Sequence, residues 1–449
     1  MLLELTALAL SLSLGGGSAD FGVLEAPPVL DQHVRQVDIA PATVPSSAAF
    51  GAAMKLTPVD ITLLPKLGGR ALLDQLSILP ADTLGQYVKD HPGVIADVLS
   101  RPIAVVDVAQ WWGSASQAVR QKLTRQTPEL IGNLEGIPFA VRDAANRAYL
   151  GNEIAKLEAQ LRTGVGRGMN VEVTNHLHML TQIRAALTPD DDTTSRTLVS
   201  LDTTAPGRAA IAIGDLTTAD YVSYLIPGML FTIDGQIDYW ADTATTLYQD
   251  QLAWLSRLGD SSSTVATIAW VGYQTPHLLN VGSLTLAEQG ADYLTRSIEG
   301  LQGVRGSHQP YLSVVAHSYG STAVMMALQH ADFQIDALAV VGSPGSSAQS
   351  VSALAVRGGN VYVGEADGDP VANTAFYGSD PGAPAYGAHR MGVSGGIDAV
   401  TGQPLSPSIW HIGYFERGSE SMRNFALIGI NAGGLVMNDA GVTIAAAGK

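Results

Sequence analysis

What most constrains this chain is an alternation that begins near residue 198. Short apolar, β-branched runs take turns with amphipathic stretches. "RAAIAIG", "YVSYLIPGM" and "TVATIAWVGY" read as strands, as do "YLSVVAHS", "IDALAVVGSPG" and "NVYVGEADGDPVA". Between them "IDYWADTATTLYQDQLAWLSRL", "LAEQGADYLTRSIEGL" and "STAVMMALQH" have helical periodicity. Strands that alternate with helices predict an α/β fold: a mostly parallel sheet with helices on both faces. In open sheets of this kind functional groups gather at the carboxyl ends of the strands.

Upstream the texture is different. Residues 1–55 read as an N-terminal arm, rich in Pro, Ala and Ser from residue 20 onward, and 56–197 as a helical region. In "AYLGNEIAKLEAQL" the apolar residues Leu150, Ile154, Leu157 and Leu161 recur at helical spacing. The strand–helix alternation occupies 198–430, and 431–449 forms a C-terminal tail. The first twenty residues, "MLLELTALALSLSLGGGSAD", pair an apolar stretch with small residues at Gly17, Ser18 and Ala19, as a secretory signal does. They lack a Lys or Arg before the stretch and carry Glu4 there, and the Leu8–Leu14 alternation also suits a strand. Localisation stays open between a cytoplasmic placing, slightly favoured, and secretion.

Composition excludes several chemistries. The 449 residues contain no cysteine, hence no disulfide, thiolate nucleophile or cysteine-bound metal. A formal charge of −16 without a basic stripe argues against nucleic acid, whose affinity rests on clustered Lys and Arg. No apolar run reaches the roughly 18–20 residues of a transmembrane helix. His176 and His178 diverge on a helix and cannot share a metal. The glycines of "TGVGRGM" follow a helix instead of a strand, so they do not form a dinucleotide loop. Asp190 to Asp192 suit a solvated loop better than a calcium site. No metal or cofactor is expected.

The chemistry centres on "VVAHSYGST", residues 314–322. A serine between a buried strand and a helix, with small residues two positions to either side, predicts a tight turn that holds its hydroxyl above the sheet. Ala316 stands where glycine is usual, and Gly320 completes the pattern. A serine hydroxyl needs a base, and the base needs an orienting acid. Among the downstream histidines His330 ends the following helix; His389 and His411 both sit in later loops, and His411 is favoured. The acid should leave the strand "VYVGEADGDPVA", which offers Glu365, Asp367 and Asp369. Asp369 is favoured because Gly368 permits a bend and Pro370 sets Asp369 at the start of a turn.

Two backbone N–H groups must meet the negative oxygen of the reaction intermediate. Tyr319, after the serine, supplies one; Met229, after the strand two back from the elbow, supplies the other. Tyr273, Tyr377 and Trp410 are candidate substrate contacts. His317 serves as packing or substrate contact. The long segment from Phe376 to Trp410, with Tyr386, or else the helical region, is expected to roof the site.

Several blocks in order, "GRAAIAIGDLTTADYVSYLIPGM", "WVGYQTP", "VVAHSYGST", "VVGSPG" and "GDPVA", resemble an actinobacterial α/β-hydrolase family of unknown function. Trp111-Trp112, "TPELIGNLEGIPFAVRDAANRAYL" and "HIGYF" extend the likeness over roughly residues 105–430. The resemblance implies the α/β-hydrolase fold and a Ser-Asp-His triad at Ser318, Asp369 and His411. The expected activity is that of a serine hydrolase on a small-molecule ester, with an amide as the nearest alternative. The competing class is a catalytically silent module whose helical half binds a partner.

Overall fold

A computed structural model describes residues 61–447, apart from 102, 165 and 189–193. The signal-like N-terminus and the Asp190–Asp192 loop lie outside the described residues. Helices open the described chain: α1 (Gly69–Ile78), α2 (Ala81–Asp90), α3 (Gly93–Ser100), α4 (Val105–Ser114), α5 (Gln117–Gln126), α6 (Pro128–Asn133), α7 (Phe139–Thr163) and α8 (Arg167–Ala186). Their buried positions follow the helical period; in α7 these include Leu150, Ile154 and Leu157. The glycines of "TGVGRGM" fall at the α7–α8 junction.

The sheet begins at β1 (Arg196–Asp202) and continues with β2 (Arg208–Ile213), β3 (Tyr221–Ile226), β4 (Val265–Val271), β5 (Tyr311–His317), β6 (Ala337–Val341), β7 (Val361–Gly364) and β8 (His389–Arg390). Its spatial order is β1-β2-β4-β3-β5-β6-β7-β8. β2 runs antiparallel to both β1 and β4, and every pairing from β4 to β8 is parallel. The six strands expected from the sequence are β2 to β7. β1 escaped notice because its sequence, "RTLVSLD", mixes polar and apolar residues, and β8 because two residues carry no pattern.

Helices α9 (Ile237–Arg257), α10 (Thr285–Arg305), α11 (Tyr319–Gln329) and α12 (Glu420–Gly429) complete the layers. Side chains from the two sheet faces build two cores. One gathers Leu225, Trp240, Val315 and Phe425, the other Tyr224, Trp270, Leu294 and Val324. The all-buried β4, "VATIAWV", is what a strand covered on both faces must be. α12 lies wholly buried in a region where the sequence showed no element.

Thr62–Lys449 form one compact unit. The helical region covers the outer edge of β1, where unpaired backbone would otherwise invite a foreign strand. Asn133 accepts from Leu201 N–H (2.9 Å) and donates to Leu201 O (2.9 Å), Asp143 accepts from Leu198 N–H (2.7 Å), and Asn146 donates to Leu198 O (3.0 Å). His176 donates to the Thr203 carbonyl, and His178 meets Asp234.

Candidate active site

The carboxyl end of β5 passes straight into α11, and Ser318 forms the joint. Its φ and ψ are 54° and −133°, a conformation that side-chain-bearing residues rarely adopt and that costs on the order of 1–3 kcal/mol. Ser318 N–H donates to the Val341 carbonyl (3.0 Å), which fixes the turn to the neighbouring strand. Gly320 is required by space: a Cβ there would lie 2.3 Å from the Pro227 carbonyl oxygen. Ala316 is buried and paired with Ile226 in the β3–β5 ladder, where its single methyl fits. The turn forms without the usual first glycine.

His411 and Asp369 converge on this serine. Ser318 Oγ lies 2.7 Å from His411 Nε2, and His411 Nδ1 lies 2.8 and 3.0 Å from the two oxygens of Asp369. A carboxylate cannot donate, so Nδ1 carries the proton and Nε2 is left to accept from the serine hydroxyl. The Asp369 side chain is fully buried. Burial pushes its carboxyl up, but the bonds and charge of His411, the Tyr414 hydroxyl and Val371 N–H outweigh it and hold the group down at about 2. It also caps its own turn, accepting from Val371 N–H (2.8 Å) and Ala372 N–H (3.3 Å).

The other candidates stand elsewhere. Asp367 is exposed, and Glu365 is ion-paired with Arg390 (2.7 Å). His389 is exposed on β8 with its ring against Tyr362, and His330 caps α11.

Two neighbours escaped the sequence reading. Tyr414 donates to Asp369 Oδ2 (2.6 Å) while accepting from Ala366 N–H (2.9 Å). Gly342, at φ 55°, ends β6 where a Cβ would stand 2.7 Å from Asp369 Oδ2 and 2.9 Å from His411 Nδ1. "HIGYF" and "VVGSPG" contain both residues, but no spacing rule marks them as partners of the acid.

The turn after β3 lies against the serine. At Gly228 a Cβ would meet Ser318 Cβ at 2.6 Å and Oγ at 3.1 Å. Neither Met229 N–H nor Tyr319 N–H donates to any acceptor among the described residues. The turn is pinned from below: Tyr273 donates its hydroxyl to Pro227 O (2.8 Å), and Leu230, at φ 63°, donates its N–H to Pro276 O (3.0 Å).

Tyr273 is therefore a correction to the sequence reading. It is 1% exposed, stacked between Trp270 and Tyr319, and it supports the turn instead of meeting substrate. His317 is also turned from the serine. Its Nε2–H donates to the His411 carbonyl (2.6 Å), and its ring lies 4.6 Å from that of His411. Burial first, then the His411 charge, lowers His317 to about 3. Its ring packs against those of His411, Tyr414 and Phe415.

Tyr377 stands edge-on to Tyr319 (5.6 Å between rings) and donates its hydroxyl to Val281 O. Trp410, beside His411, is 62% exposed at φ 57°. Tyr386 is buried against Met325, so it does not line a mouth.

Residues 202–396 match the family model described as "Alpha/beta hydrolase". Over this stretch the chain has the α/β-hydrolase fold. Its elbow at Ser318 and the chain order of Ser318, Asp369 and His411 in the hydrogen-bonded line fit that fold. Among curated proteins it is similar to Uncharacterized protein Rv2079 of Mycobacterium tuberculosis (strain ATCC 25618 / H37Rv), 27% identical over 383 residues, covering 74% of this chain and 56% of that protein. It is also similar to Uncharacterized protein Rv0963c of the same bacterium, 27% identical over 215 residues, covering 47% of this chain and 79% of that protein. The chain thus spans little more than half the length of the first relatives it matches. Solved structures similar to this α/β hydrolase include an esterase/lipase from an uncultured bacterium (12% identity, TM-score 0.34, 62% of this chain and 97% of that chain). A second is a hormone-sensitive lipase from a metagenome library (12% identity, TM-score 0.34, 64% and 97%). Among the described residues no helix is long and apolar enough to cross a membrane.

Proposed function

We propose that this α/β hydrolase cleaves carboxylic esters through a Ser318–His411–Asp369 triad. The observation that carries the reading is the continuous hydrogen-bonded line from Ser318 Oγ through both nitrogens of His411 to a buried, ionised Asp369.

In this mechanism Ser318 Oγ attacks the ester carbonyl carbon as His411 Nε2 takes its proton. The carbonyl oxygen becomes negative and is received by the N–H groups of Met229 and Tyr319, both without an acceptor among the described residues. The intermediate collapses, the C–O bond to the leaving group breaks, and the imidazolium returns its proton to the departing alkoxide. Water then attacks the acyl-serine with His411 as base, releasing the carboxylic acid and restoring the serine. Asp369 stays ionised throughout, holding the Nδ1–H tautomer and offsetting the charge on the ring.

The silent-module reading requires His411 to be turned away from the serine; the 2.7 Å contact supports the enzyme instead. Amide hydrolysis would use the same groups. The deciding experiment compares wild type and Ser318→Ala on matched p-nitrophenyl esters and p-nitroanilides. Ester turnover that disappears in Ser318→Ala, with little anilide cleavage, is expected. Ester turnover unchanged in Ser318→Ala would refute the proposal.

A further inference from the structure

We propose that the rim of this site is an interfacial surface that seats on aggregates of uncharged, water-insoluble esters, from which the enzyme draws its substrate. The inference rests on the reading of Ser318 as nucleophile and adds to it the physical state and charge of what is cleaved.

Four segments surround Ser318 and His411: 227–233, 272–287, 370–379 and 399–415. Together they contain no Asp, Glu, Lys or Arg, although the chain has 41 acidic and 25 basic residues. Charge resumes at their sequence borders, with Asp234, Glu288, Asp380 and Glu416. Asp369 and Asp398, which directly precede two of the segments, are buried, the first against His411 and the second against Arg423.

The same segments expose large apolar side chains: Leu278, Leu279, Phe376, Ile409, Trp410 and Ile412, with Leu279 94% exposed. Contacts tie these segments to the residues beside Ser318 and His411. Leu230 N–H on Pro276 O ties the Leu278–Leu279 loop to the turn that carries Met229. Tyr377, whose hydroxyl reaches Val281 O in that loop, packs between Tyr319 and Phe376. On the other side Ile409, Trp410 and Ile412 flank His411 in sequence, and His411 touches the serine. Leucine, isoleucine and tryptophan held in water around a nucleophile are costly unless something apolar covers them.

Charge selects the occupant. A soluble anionic or cationic ester would need a countercharge, and these four segments supply none. An anionic bilayer would be met by Lys and Arg, whereas this chain carries −16 and its rim has no cation. An uncharged ester aggregate needs neither, and its acyl chains give the rim the apolar contact it lacks.

The test separates binding from turnover. Ser318→Ala protein is mixed with a triolein emulsion stabilised by phosphatidylcholine and floated by centrifugation. It should rise with the emulsion, and adding Leu279→Glu or Ile409→Glu should lower the floated fraction about tenfold. In the otherwise unaltered chain Leu279→Glu should leave kcat/KM on dissolved p-nitrophenyl acetate within about twofold of wild type. It should also remove any rise in rate as tributyrin passes its solubility limit. Absence of flotation, or variants that float like the parent, overturns the proposal. So does a dimer in sedimentation velocity that Leu279→Glu dissociates, because a second copy would then be the occupant. The flotation arm needs no catalysis, so an unaltered chain that floats but cleaves no ester defeats the Ser318 reading and leaves the surface standing.

Discussion

Tyr414 donates its hydroxyl to Asp369 Oδ2 across 2.6 Å, three residues after the histidine that the same carboxylate orients. One oxygen atom thereby ties the histidine segment to the acid, and by accepting from Ala366 N–H it ties both to the end of β7. Tyr414→Phe removes the hydroxyl and leaves a buried N–H and a carboxylate each short of one partner. The expected cost is about 1–3 kcal/mol of stability and about a tenfold fall in kcat with KM little changed. Denaturant unfolding and steady-state kinetics measure the two effects; wild-type kcat would remove Tyr414 from any positioning role.

The two aspartates of "ADGDP" should behave very differently. Asp369→Asn keeps the shape but loses the charge that sets the His411 tautomer, with an expected loss of up to about 10⁴ in kcat by analogy with serine proteases. Asp367 is exposed and away from the hydrogen-bonded line, so Asp367→Asn should be nearly silent. Parallel kcat measurements check this, and a reversed ranking would reassign the acid.

Gly228→Ala tests the proposed receiving site for the negative oxygen while leaving the side chains of Ser318, His411 and Asp369 themselves unaltered. The added methyl would fall 2.6 Å from Ser318 Cβ, so the turn must retreat and take Met229 N–H with it. Turnover should fall about 10²–10³-fold while the fold is retained. A melting curve and kcat decide it; wild-type turnover would place the second donor elsewhere.

Much of this was written locally in the chain. The β2–β7 alternation and the Ser318 turn depend on neighbours a few residues apart, and short-range pattern reports them well. Gly368 and Pro370 shape the turn that sets Asp369, and not the exposed Asp367, beside His411. The parts that escaped depend on distant segments. Tyr273 looked like a substrate contact, but its hydroxyl serves Pro227, 46 residues away in sequence. Gly342 must be glycine because Asp369 and His411 arrive beside it, a demand invisible in "VVGSPG". β1 is recognisable only once Asn133, Asp143 and Asn146 are seen to satisfy its backbone.

His317 should make stability fall on acidification at a higher pH than Asp369 does. Its ordinary value of 6.5 falls to about 3 in the fold, with His411, Tyr414 and Asp369 facing it. Between those values the unfolded chain binds a proton that the folded chain does not, so stability falls as pH drops from 6.5 toward 3. Asp369 acts lower, losing its contribution as pH falls from near 3.8 through about 2. His317→Gln should therefore flatten the fall in melting temperature between about pH 6.5 and 4.5, above the Asp369 window. An unchanged slope would assign the acid sensitivity to other groups.

The most direct test of the central claim is covalent. A fluorophosphonate reacts with a serine only when a base withdraws its proton, and it requires no knowledge of the natural ester. Treated with such a probe and mapped by peptide mass spectrometry, the protein should carry one adduct, on Ser318, absent from Ser318→Ala and formed far more slowly in Asp369→Asn. An unlabelled Ser318 in the folded protein, or an adduct that persists in Ser318→Ala, would contradict the account.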